Sequence, residues 1–121
     1  MKYLILVHHD EEAFEKISET KRKELLVESV RLTHQLHNNR RYVHASPLHP
    51  AATAIIVRVR EGKQFVTDGP FVETREQLAG YFLIEARDLN EAIGIAARVP
   101  GARIGTVEVR PLREIQGLPN E

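Results

Sequence analysis

The 121-residue chain has no cysteine and no tryptophan. Without cysteine, thiol nucleophiles, thiolate metal sites, disulfides and iron–sulfur clusters all fall away, and any chemistry rests on oxygen and imidazole. Charge of one sign is missing too: 17 Lys and Arg balance 17 Asp and Glu. Phosphate backbones and anionic lipid are held mainly by surplus Lys and Arg, so neither nucleic acid nor a membrane is an expected partner. The opening apolar run Tyr3-Leu4-Ile5-Leu6-Val7 follows a single Lys2 and ends in His8-His9-Asp10. It is too short for a signal-peptide core or a bilayer span, and a cytoplasmic location is expected. No glycine-rich phosphate loop is present, so no organic cofactor is implied.

What remains is an ordinary globular composition, 42% hydrophobic and 28% charged, in a chain long enough to build one core without staples. Residues 3–7 read as a strand. From Glu11 to Asn39 there is no Gly or Pro, which predicts one long helix or a short one followed by a long one. Leu25, Leu32 and Leu36, flanked by Leu26, Val30 and Thr33, draw its apolar stripe. Tyr42 to Ala45 reads as a short strand. Thr53 to Arg60 and Gln64 to Thr67, joined by Glu61-Gly62-Lys63, read as a hairpin. Asp68-Gly69-Pro70 is turn chemistry. Thr74 with Gln77 has the form of a capping box and predicts a helical turn or two before Gly80, and Asp88 with Glu91 predicts a helix ending at Pro100-Gly101. Strands are expected at Tyr81 to Ala86 and Ile104 to Arg110. The pattern is α+β: a ferredoxin-like βαββαβ core with an inserted β-hairpin, in one domain over 1–112, followed by a polar tail over 113–121.

Strand alternation adds an expectation about assembly. Tyr3, Ile5 and Val7 point one way and Leu4 and Leu6 the other, and Leu83 likewise opposes Phe82 and Ile84. Two helices cover one face of a sheet, and a large apolar patch left bare marks an interaction site. The expected cover is a second copy about a two-fold axis, giving a homodimer whose sheets face each other as a barrel.

The residues that carry a resemblance are Asp68-Gly69-Pro70-Phe71, Glu73-Thr74-Arg75-Glu76-Gln77-Leu78 and Gly80-Tyr81-Phe82-Leu83-Ile84. They are joined by the Lys2-Tyr3-Leu4 strand ending in Asp10, Val57-Arg58-Val59-Arg60, Asp88-Leu89-Asn90-Glu91-Ala92 and Val107-Glu108-Val109-Arg110-Pro111. Over nearly its whole length the chain resembles DGPF-domain proteins of the YCII-related superfamily of dimeric α/β barrels. The resemblance implies the same fold and a dimer, with little about activity. Better-understood relatives pair an Asp at the end of the first strand with a His from the first long helix. Asp10 matches the Asp; the second position falls near Ser29, so a complete dyad is not carried over. Relatives are often encoded beside extracytoplasmic-function sigma factors, which implies a protein partner as an alternative to a small molecule.

The candidate catalytic residues are Asp10, as proton-handling or orienting group, and His44, whose imidazole starts near neutrality. Arg58, Asp68 and Tyr81 are candidate substrate-binding residues. Arg58 interrupts an apolar strand and calls for a carboxylate or a bound anion. Asp68 faces either the pocket or nearby backbone amides, the turn alone accounting for its residue type. Tyr81 and Phe82 also read as core and interface packing. Glu73 and Arg75 are expected to pair with each other, with Arg58 or with the other subunit. His8 and His9 read as loop residues; with His44 or His49 they show no metal-ligand spacing, and no metal is assigned. His34 and His37 read as solvated. The leading function is binding of a small organic molecule in the barrel, with lyase- or isomerase-like acid–base chemistry; the alternative is a non-catalytic interaction or regulatory module.

Overall fold

A computed structural model describes residues 1–119. Strand β1 (Lys2–Asp10) runs directly into a short helix α1 (Glu11–Lys16), because Asp10 is at once the last strand residue and the helix N-cap. Its carboxylate accepts from the Ala13 N–H at 3.2 Å, satisfying a donor the first turn leaves open. The long helix α2 (Glu19–Asn38) starts again at Ser18, whose hydroxyl accepts from the Lys21 N–H. Of the two arrangements open for this segment, the chain adopts the short helix followed by the long one.

Strand β2 (Tyr42–Pro47) and a single 3-10 turn (Ala51–Thr53) lead to the hairpin β3 (Ile55–Arg60) and β4 (Lys63–Asp68). Glu61 and Gly62 both take positive φ, 51° and 75°, the two-residue geometry that suits the twist of paired strands. Then come β5 (Glu76–Glu85), α3 (Leu89–Arg98), a four-residue helix α4 (Gly101–Ile104) and β6 (Thr106–Pro111). The main sheet has the order β2-β5-β1-β6, wholly antiparallel, while β3 and β4 form a sheet of their own. This is the ferredoxin-like arrangement with an inserted hairpin.

The core lies on one face. Tyr3, Ile5 and Val7 of β1 and Phe82 and Ile84 of β5 are buried against Leu32 and Leu36 of α2 and Ala92, Ile95 and Ala96 of α3. Register explains the choice: Ile5 sits opposite Phe82 on one side and Val109 on the other. The opposite face carries Leu4, Leu6, Leu83 and Tyr81, half-buried, with Leu78 exposed.

Two local expectations are corrected. No helix forms at 74–77. The Thr74 hydroxyl donates to the Glu76 carbonyl at 2.6 Å, and the Gln77 amide donates to the Val72 and Thr74 carbonyls, both at 2.8 Å. These side chains therefore tie a turn, and from Glu76 the backbone pairs with His9 and Asp10, extending β5. Ile104 belongs to α4 and the last strand begins at Thr106; between them Gly105 lies so close to the His8 carbonyl that a side chain there would clash with it. After Pro111 no helix or strand follows among the described residues, and residues 120–121 of the expected tail lie outside them.

Candidate functional site

Between the N-terminal half of α2 and the sheet lies a cleft of about 320 Å³, at the small end of sites that hold organic molecules. Its α2 wall is made of Arg22, Leu25, Leu26, Ser29, Val30 and Thr33. These residues recur at three- and four-residue spacing, so they share a helix face. Leu25 is buried in the wall, whereas Leu26 and Val30 are 54% and 48% exposed and form an apolar rim. The sheet side brings Val7 and His9 of β1, Ala45 of β2 and Phe82 of β5. Phe14 of α1 and the α4 residues Gly101 and Ile104 close the ends.

His9 is the titratable group in this wall that sequence reasoning assigned to a loop. Its ring stacks on Phe14, with centroids 4.5 Å apart and planes at 17°. Burial lowers its pKa from the ordinary imidazole value, outweighing the carboxylates of Glu11, Asp10 and Glu76, which raise it. At neutral pH it is a neutral base beside an apolar wall. The signal was in the sequence: nine has the parity of three, five and seven, the residues that face the core.

Arg22 is the second polar feature. Its Nη1 donates to the carbonyls of Glu15 and Ile17, at 3.0 and 2.5 Å, across the break between α1 and α2. Ser29 and Thr33 turn their hydroxyls back onto the helix carbonyls of Leu25 and Val30.

The residues singled out from the sequence fall in separate places. Asp10 caps α1, with Arg75 at 3.9 Å; Arg75 therefore neighbours Asp10 rather than Glu73. His44 and Tyr81 do come together on the helix-free face, His44 Nδ1 and the Tyr81 hydroxyl lying 2.7 Å apart with their rings stacked at 5.7 Å. Tyr81 also lines the cleft. Arg58 is exposed on the hairpin, so the expected burial cost does not arise. Its guanidinium lies 5.4 Å from the centroid of the Phe71 ring, a cation–π contact in place of an ion pair. Asp68 is exposed, and the neighbouring Gly69 N–H donates to the Ala54 carbonyl at 2.8 Å, continuing the β3–β4 pairing past Asp68.

The profile of the YCII-related domain matches residues 1–116. The chain belongs to the YCII-related family. A second comparison gives a relative from Rhizobium meliloti (strain 1021), "Uncharacterized protein R00369", 42% identical over 81 residues. That match spans 60% of this chain and 65% of the relative, just under two thirds of its length. Ser29 is in the cleft wall, and the imidazole in that cleft comes from β1.

Proposed function

We propose that this YCII-related protein binds a small, mainly apolar organic molecule in the cleft between α2 and the sheet, and that His9 exchanges a proton with it in a lyase- or isomerase-like step. The observation that carries this reading is a neutral, partly buried imidazole set in a concave apolar wall, the combination a general base requires. Asp10 fixes the end of β1 through its cap on α1 and so positions the neighbouring imidazole. Arg58 and Asp68 belong to the separate hairpin, and the His44–Tyr81 pair belongs to the other side of the sheet. There a second copy covers Leu4, Leu6 and Leu83 and completes the barrel, making the working unit a homodimer of DGPF type.

A thermal-shift screen of small acids, lactones and aromatics tests the reading, since a ligand that binds only the folded state raises stability by about 2.7 kcal/mol at a hundredfold excess over Kd. Hits should vanish in Val30→Trp, which fills the mouth of the cleft, and persist in His9→Gln, which should bind without turnover. Hits that persist in Val30→Trp would place the ligand elsewhere. A second reading, a non-catalytic module that docks a protein such as a sigma factor, draws on the hairpin, where Ile55, Val57 and Val59 are 60%, 61% and 60% exposed. A screen without hits, together with capture of such a partner that Val57→Lys abolishes, would favour it.

A further inference from the structure

We infer that the cleft selects an organic acid, a compact molecule with an apolar body and one carboxylate held by Arg22. This rests on the cleft being the ligand site and goes on to name the class of ligand. Among the residues lining it there is no Asp, Glu or Lys. The remaining wall is aliphatic, aromatic or small and neutral, with Arg22 as its guanidinium and His9 as an imidazole whose charged form burial disfavours.

Arg22 is also a cation without an anion. Glutamates crowd α1 and the start of α2, at 11, 12, 15, 19 and 24. Lys21 and Lys23 each pair with one of them at 3.9 and 3.3 Å. Among the described residues Arg22 has no carboxylate within 4.0 Å, and its hydrogen bonds are the two made by Nη1 to backbone carbonyls. Those bonds hold the guanidinium in place while Nε and Nη2 keep their donors. Nε and Nη2 form one edge of the planar fork, which matches a carboxylate with two parallel N–H···O bonds. A charged group already held in position loses little side-chain freedom when it binds. An amine would meet like charge, and a neutral molecule would leave the donors of a half-buried guanidinium without an anionic partner.

Matched probes test this in the full-length protein: phenylpropanoate, its primary amide and phenylpropylamine, with hexanoate and hexanamide as a second body shape, titrated calorimetrically at low salt near neutral pH. The acids should bind at least tenfold more tightly than their amides, and the amine most weakly. In Arg22→Gln the acid-to-amide ratio should fall to about one with amide affinity kept, and Arg22→Lys should retain part of the preference. If Arg22→Gln fails to fold, the wild-type ratio still decides. Equal binding of acid and amide, or a ratio unchanged in Arg22→Gln, overturns the acid preference and leaves the cleft as a site. Binding of none of the probes, with an empty wider screen, overturns both.

Discussion

The His9 imidazole is pulled in two directions. Burial disfavours its charged form, the carboxylates of Glu11, Asp10 and Glu76 favour it, and burial prevails. With the folded pKa below the unfolded value of 6.5, the unfolded chain takes up the proton first as pH falls. The contribution to stability is therefore whole above about 6.5 and drains away on acidification until the native imidazole is itself protonated. Urea midpoints should drop between about pH 7.5 and 5.5, and by less in His9→Gln; equal drops would assign the acid sensitivity to other groups. Two carboxylates act in a lower window. Glu28 is held below its ordinary pKa by the Arg103 guanidinium, which donates to both its oxygens at 2.9 and 2.7 Å. Glu91 is held there by the Arg87 N–H and then by Arg41. A depressed carboxylate stabilises above its unfolded value of 4.5 and loses that effect as pH falls through the folded value. Glu91→Gln should lower the Tm at neutral pH, with the gap to wild type closing well below pH 4.5.

At the scale of elements, α2 divides its apolar residues between two tasks. Leu32 and Leu36 are 4% and 1% exposed and pin the helix to the sheet, while Leu26 and Val30, a turn away, border the cleft. Leu36→Ala should cost about 2–5 kcal/mol in chemical denaturation. Leu26→Ala should leave the denaturation midpoint almost unmoved while weakening ligand binding, and a large loss of stability there would mean the rim is structural. The same contrast shows what the sequence makes legible. The Leu25, Leu32 and Leu36 stripe and the Asp88–Glu91 cap are local patterns that the fold leaves in force; Asp88 accepts from the Glu91 N–H at 2.9 Å, and Asp88→Ala should cost about 1 kcal/mol. The similar pattern at Thr74 and Gln77 gives no helix, because pairing with a strand more than sixty residues earlier in the chain overrides it. His9 could be placed by parity alone. Arg22 could not: its role depends on the angle between α1 and α2, which brings the Glu15 and Ile17 carbonyls to its guanidinium, and no spacing in the sequence encodes that angle.

For the whole molecule, the unequal cover of the two sheet faces is the feature with most consequence. One face is sealed by α2 and α3. On the other, Leu4 lies opposite Leu83 and Leu6 opposite Tyr81, and the edge strand adds His44 and Ser46. A stable association buries about 1,200–2,000 Å² in total, and the apolar residues open to a second copy are Leu4, Leu6 and Leu83 on this face and Ile55, Val57 and Val59 on the hairpin. Sedimentation at micromolar concentration should give twice the chain mass of 13.8 kDa. Leu83→Lys is the sharpest probe. In a monomer the long side chain reaches water and the fold is kept, so the far-UV circular dichroism should not change. In a face-to-face dimer the same ammonium would be desolvated opposite an apolar surface, a penalty of several kcal/mol. The variant should therefore sediment as a monomer, and His44 and Tyr81 should become accessible to modification reagents. A Leu83→Lys protein that stays dimeric would move the interface to another surface, the hairpin first, and a wild-type protein monomeric across the concentration range would leave each chain to bind its ligand alone.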